Sequence, residues 1–142
     1  MKKHLFSCIA VFGFILFLGS CRSQPIVFNE SLPADNIATI RWCGPNIVAY
    51  NGISVDWKNP MWSPLFVKIP GGRTEFEISG LSRGGLDVTY RNTPFVFNFE
   101  GGNEYYIRVV GHIIEVFNGS SPLRRNLITS FNMLSGQQEI PR

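Results

Sequence analysis

Histidine and cysteine are scarce in this chain, at two and three residues in 142. His4 and His112 lie far apart, and beyond residue 21 the only Cys and His are Cys43 and His112, with no short-spaced pair. The usual zinc sets, three or four ligands at short spacings, are therefore excluded. Charge is also sparse, at 16% of residues. Lys2 and Lys3 supply two of the three net positive charges, and the other basic residues are scattered. A nucleic-acid binder needs a clustered basic face to offset phosphate charge, so that class is excluded. Asp35, Asp56 and Asp87 stand singly, which excludes a dense acidic calcium loop. Gly80-Leu81-Ser82-Arg83-Gly84-Gly85 leads toward a strand rather than a helix, so it lacks the geometry of a phosphate cradle. Long apolar runs are missing too, with one exception near the N-terminus.

What the chain does have is aromatics and turn formers: Phe 12, Gly 14 and Pro 9, with 44% hydrophobic residues overall. That mixture suits many short strands joined by tight turns. The length allows one ordinary domain.

The exception is Leu5–Leu18, broken only by Ser7, Cys8 and Gly13. Met1-Lys2-Lys3-His4 precedes it and Gly19-Ser20 follow it, the three-part plan of an export signal. The run falls short of the roughly 20 residues that span a bilayer. Leu18-Gly19-Ser20-Cys21 resembles the lipobox of bacterial lipoproteins. The resemblance implies cleavage before Cys21, a diacylglyceryl group on its thiol and further acylation by a palmitate-type chain. It implies a membrane partner held through that lipid, and a place in the bacterial cell envelope. Arg22 in place of Asp points to the outer membrane. The expected organisation is a signal over 1–20, a lipidated tether over 21–36 and a domain over 37–142. With Cys8 removed and Cys21 lipidated, Cys43 is left alone, so no internal disulfide is expected.

From Ile37 onward apolar and polar residues alternate. Ile37–Trp42 reads as a first strand. Ile47–Tyr50 and Ile53–Trp57 flank Asn51-Gly52, a pair that tolerates positive φ at both central positions of a hairpin turn. Leu65, Val67 and Ile69 alternate with Phe66 and Lys68. In 73–79 the inward set is Thr74, Phe76 and Ile78. Further inward sets are Leu86, Val88 and Tyr90, then Phe95, Phe97 and Phe99, then Tyr105, Ile107 and Val109, with a last strand over His112–Phe117. The expectation is all-β: an antiparallel β-sandwich of about 7 to 9 short strands. Leu123, Leu127, Phe131 and Leu134 recur at helical spacing after Ser121-Pro122, predicting a short C-terminal helix ended by Gly136.

Val48-Ala49-Tyr50-Asn51-Gly52, Pro64–Gly72 and Thr74–Ile78 together resemble the small sandwich domains of the PEGA type. Phe97–Val109 is similar to a group of small bacterial lipoproteins in which a glycine turn leads into a paired-tyrosine strand. The resemblance implies an envelope-exposed, PEGA-like sandwich of unknown function without catalytic residues or cofactor.

Candidate chemistry is thin. A nucleophilic cysteine needs a base, and Cys43 with His112 is the one available pair; an envelope hydrolase or thiol enzyme built on them is the alternative reading. Glu75 with Glu77, and Glu100 with Glu104, read as solvated charge. Asp56–Trp62 places Trp57, Met61 and Trp62 in a proline-containing connection, with two readings: Trp57 ends a core strand and Trp62 covers the sandwich end, the commoner fate of tryptophan, or the aromatics are exposed and suit a glycan, a peptide or a protein surface. The sequence therefore points to a lipid-anchored, non-enzymatic binding or structural module, with Trp57, Met61 and Trp62 as ligand contacts and an envelope protein or glycan as partner.

Overall fold

The computed structural model describes residues 26–27, 31–59, 64–81 and 88–139. In chain order the strands are β1 (Ile26–Val27), β2 (Ile37–Cys43), β3 (Asn46–Tyr50), β4 (Ile53–Trp57), β5 (Leu65–Pro70), β6 (Gly72–Leu81), β7 (Thr89–Phe99), β8 (Glu104–Val110), β9 (Ile113–Asn118), β10 (Leu127–Asn132) and β11 (Gln137–Glu139). They form two sheets. The larger has the order β1-β5-β2-β8-β9-β10-β11 and the smaller β4-β3-β6-β7. The chain is mostly β, as the alternation predicts.

Period-two patterning decides which side chains meet. Ala38, Ile40 and Trp42 of β2, Leu65, Val67 and Ile69 of β5, and Tyr105, Ile107 and Val109 of β8 are buried. So are Thr74, Phe76 and Ile78 of β6, and Phe95 and Phe99 of β7. Rings from the two sheets touch. Trp42 lies 5.9 Å from Phe76 and 6.2 Å from Phe95 between centroids. Phe99 meets Tyr105 edge-on at 5.1 Å, which suits the ring quadrupoles. The sheets thus share one core, whose buried members run from Ala38 to Val116. Each large apolar side chain fully withdrawn from water contributes about 1.5–3 kcal/mol before chain entropy is subtracted.

The hairpin at Asn51-Gly52 forms as expected, with φ of 46° and 78°. The turn at Gly101-Gly102 is built on backbone contact. Gly102 donates its N–H to the Ile37 carbonyl, and Gly71 donates to that of Asn36. A Cβ on Gly101 would come within 2.5 Å of the Asp35 carbonyl oxygen.

Two expectations are corrected. The strands are not all antiparallel: β2 pairs β8 in parallel (Ile40 opposite Tyr105), and β1 pairs β5 in parallel. Parallel neighbours need a long crossover. Here it is supplied by everything between β2 and β8, including the whole of the smaller sheet. The C-terminal helix is absent. Its place is taken by a 3-10 turn at Arg124–Asn126, the strand β10 and the short strand β11. Leu127, Thr129 and Phe131 also alternate, and β9 offers an open edge whose backbone groups need partners. Pairing with β9 satisfies those groups and brings Phe131 to within 6.4 Å of the Phe95 ring, whereas Leu134 is left 78% exposed.

The segment expected to act as a tether also contains structure. Ile26 and Val27 align with Val67 and Lys68 of β5.

The register sorts the loops between two ends. At the Ile37 end lie the turns 70–72 and 100–103 and the β9–β10 connector, 119–126. At the Val110 end lie the β8–β9 hairpin and the turn between β10 and β11.

Candidate functional site

Trp57 is a core residue. It is 8% exposed and packs against Tyr50 and Phe76, with centroids at 5.7 and 6.4 Å. Its ring presents no face to a ligand. Met61, Trp62 and Cys21 lie outside the described residues, as does the apolar run before Cys21.

Cys43 ends β2, half-buried on the outer face of the larger sheet. It sits opposite Arg108 on β8, and His112 follows four residues further along, in the β8–β9 turn. Val110, two residues or about 7 Å beyond Arg108, already pairs with Ile113 across the turn that holds His112, and no hydrogen bond joins the thiol to the imidazole. The structure does not bring thiol and imidazole together. The side chain beside Cys43 is Tyr106 instead. Burial raises the Tyr106 phenol above its ordinary range; Cys43 adds to the rise, and Arg108 and Arg41 oppose it. Among the described residues no three of His, Cys, Asp and Glu are grouped so as to hold a metal. Glu100 accepts a hydrogen bond from the Asn103 amide, and Glu104 is paired with Arg41.

The outer face of the larger sheet carries an arrangement the alternation alone does not announce. The register lines up Phe66, Arg41, Tyr106 and Phe117 across four strands. Arg41 lies over the Phe66 ring at 5.1 Å and donates from Nε to Glu104 at 2.6 Å. Arg108 lies over Phe117 at 5.4 Å and donates from Nε to Glu115 at 2.8 Å. Each guanidinium thus stacks on a ring and spends its charge on a neighbouring carboxylate. Phe117, although on the outer face, is only 2% exposed under this cover.

Two grooves flank the β9–β10 connector. One, of about 310 Å³, is lined by Arg108, Glu115, Phe117, Pro122, Arg124 and Leu127. The other, of about 490 Å³, is lined by Asn118, Gly119, Arg125, Asn126, Leu127 and Ile128. Arg124 and Arg125 are exposed on the 3-10 turn, and neither forms an ion pair among the described residues. Each therefore offers an unspent guanidinium to its own groove. Adjacent arginines within a segment expected to be helical gave no hint of this, because the division between two grooves exists only once the connector is a turn between strands.

Among the described residues no helix is long and apolar enough to cross a membrane. Comparison with known protein families, with curated proteins and with solved structures returned no match for this chain.

Proposed function

We propose that this protein is a lipid-anchored envelope lipoprotein whose β domain is a non-enzymatic binding module for an acidic partner. The anchor is Cys21, by its likeness to a lipobox. The two sheets are read as a PEGA-like sandwich. The observation that carries the binding role is the pair Arg124 and Arg125, two exposed guanidinium groups without an ion-pair partner among the described residues, each lining a separate groove. A guanidinium fork suits carboxylate or phosphate in two-point contact, and the apolar surface of Pro122 and Leu127 suits the body of a glycan or a peptide. The partner class is an envelope protein or glycan bearing acidic groups, and outer-membrane placement follows from Arg22.

Two measurements test the proposal. The full chain should incorporate labelled fatty acid in bacterial cells, and Cys21→Ser should abolish both incorporation and membrane fractionation. Cross-linking in cells should capture a specific partner, and Arg124→Gln with Arg125→Gln should weaken that capture. Unchanged capture by the folded double variant would exclude the grooves.

A further inference from the structure

The exposed apolar side chains are not evenly spread. Leu81, Val110, Ile113 and Leu134 are 57%, 39%, 38% and 78% exposed, and all four lie at the Val110 end. Val110 and Ile113 are register partners at the tip of the β8–β9 hairpin. The neighbouring turn is tied to that tip by the Met133 N–H, which donates to the His112 carbonyl at 3.0 Å, and Leu134 follows directly. Val110, Ile113 and Leu134 therefore project from two adjoining turns. The other exposed large apolar residues, Ile53, Val96 and Leu123, stand apart from one another, Ile53 and Val96 on the smaller sheet and Leu123 beside Arg124 and Arg125 at the Ile37 end.

The direction of β1 bears on this asymmetry. It runs parallel to β5, which itself runs from the Val110 end at Leu65 toward the Ile37 end at Pro70. The Ile26 end of β1 therefore faces the Val110 end of the domain. Ile26 stands opposite Val67, two residues or about 7 Å in from the start of β5. Cys21 is five residues earlier, a reach of at most roughly 17 Å. A lipid on Cys21 is thus within reach of the level of the apolar tips.

We infer that the Val110 end of the domain rests on the bilayer, with Val110, Ile113 and Leu134 set into the headgroup boundary and the arginine-lined grooves held away from the lipid. This rests on the lipid-anchor reading above and adds an orientation to it. A short tether keeps the tips at the surface, so even modest apolar burial suffices to hold one orientation. The strands of the larger sheet are about 20 Å long, which lifts Arg124 and Arg125 clear of the headgroups and turns them toward the envelope space.

The test uses the full chain purified from membranes and returned to phosphatidylcholine vesicles carrying lipid-phase quenchers. In a Cys43→Ser background, an environment-sensitive fluorophore is placed through Leu134→Cys, or through Arg125→Cys at the opposite end. Quenching at 134 should exceed that at 125 about fivefold, since interfacial apolar groups sit roughly 5–10 Å deep. Val110→Glu with Ile113→Glu should remove the difference. Mass measurement of the Cys21 peptide reports the anchor separately. A lipidated chain with equal quenching at both positions, or with more at 125, overturns the orientation and leaves the anchor standing. An unmodified Cys21 with selective quenching at 134 does the reverse. Concentration-dependent self-association that shields 134 without lipid quenching would assign the tips to a second copy of the chain and overturn the proposal.

Discussion

The indole of Trp42 donates its Nε1–H to the carbonyl oxygen of Pro45 at 2.6 Å, inside the core. Trp42 is fully buried, and its ring meets Phe76 and Phe95 of the opposite sheet. One side chain therefore does two things. It joins the sheets, and it satisfies a carbonyl in the bend that carries the chain from the larger sheet to the smaller.

Trp42→Phe keeps an aromatic ring but leaves the Pro45 carbonyl without its donor and opens a space beside it. The expected loss is about 3 kcal/mol, combining an orphaned buried acceptor with incomplete repacking. A urea unfolding curve should show a lower midpoint at an unchanged slope.

Gly101→Ala and Gly119→Ala should differ for a reason visible in the backbone. The added methyl at 101 meets the Asp35 carbonyl oxygen at 2.5 Å and Asn36 Cα at 2.8 Å, so the turn must move. At 119 nothing lies within 4 Å, and only the φ of 86° is unfavourable. We expect Gly119→Ala to cost about 1 kcal/mol and Gly101→Ala to cost about 2–3 kcal/mol. Thermal unfolding of the two variants side by side checks the order.

Burial raises the phenols of Tyr50 and Tyr90 above the ordinary tyrosine value of 10.0, and Tyr106 follows with burial as its largest cause. Below that value these tyrosines are protonated both folded and unfolded, and stability is unaffected. Above it the unfolded chain gives up protons that the folded chain retains, so stability falls as pH rises toward the folded values. Tyr90 donates its hydroxyl to the Gly111 carbonyl, tying the smaller sheet to the β8–β9 hairpin. Absorbance titration of tyrosinate should show late, cooperative ionisation that coincides with loss of tryptophan burial. Early, independent ionisation of all tyrosines would contradict this.

β7 is an 11-residue strand at the margin of the smaller sheet, and among the described residues it pairs only with β6. Such an edge invites added strands. Glu75 exchanges hydrogen bonds with Asn51, so its backbone groups point away from β7. Glu77 shares that phase, and its partner across the ladder is Pro94, whose nitrogen therefore faces the open side. The edge is blocked where proline lacks a donor, and Asn92 with φ of 46° breaks the line again. Pro94→Val should leave folding intact and raise self-association, measured by light scattering against concentration.

Much of the domain is legible along the chain. The alternation in 73–79 names Thr74, Phe76 and Ile78 as inward, and all three are buried. Asn51-Gly52 marks its hairpin because those residue types accept positive φ. These readings succeed because a period of two and a turn's φ requirement are local properties, set by neighbours a few residues away. The same local logic predicts a helix over the segment that holds β10, since Leu127 and Phe131 fit both periods. Only the unsatisfied edge of β9 decides between them. It also leaves Trp57 open to either role, and the rings of Tyr50 and Phe76 decide that one.

By itself, then, the sequence determined that the domain is built mainly of strands, which side chains of β5, β6, β7 and β8 turn inward, and where tight turns such as Asn51-Gly52 fall. Tertiary structure alone decided that β2 lies parallel to β8, that the guanidinium groups of Arg41 and Arg108 are spent on neighbouring carboxylates and that Arg124 and Arg125 open onto separate grooves. It also decided that the exposed apolar tips gather at one end. The physical reason is that partners across a sheet and across the core are chosen by long-range satisfaction of backbone groups and by packing, and neither leaves a periodic trace in the chain.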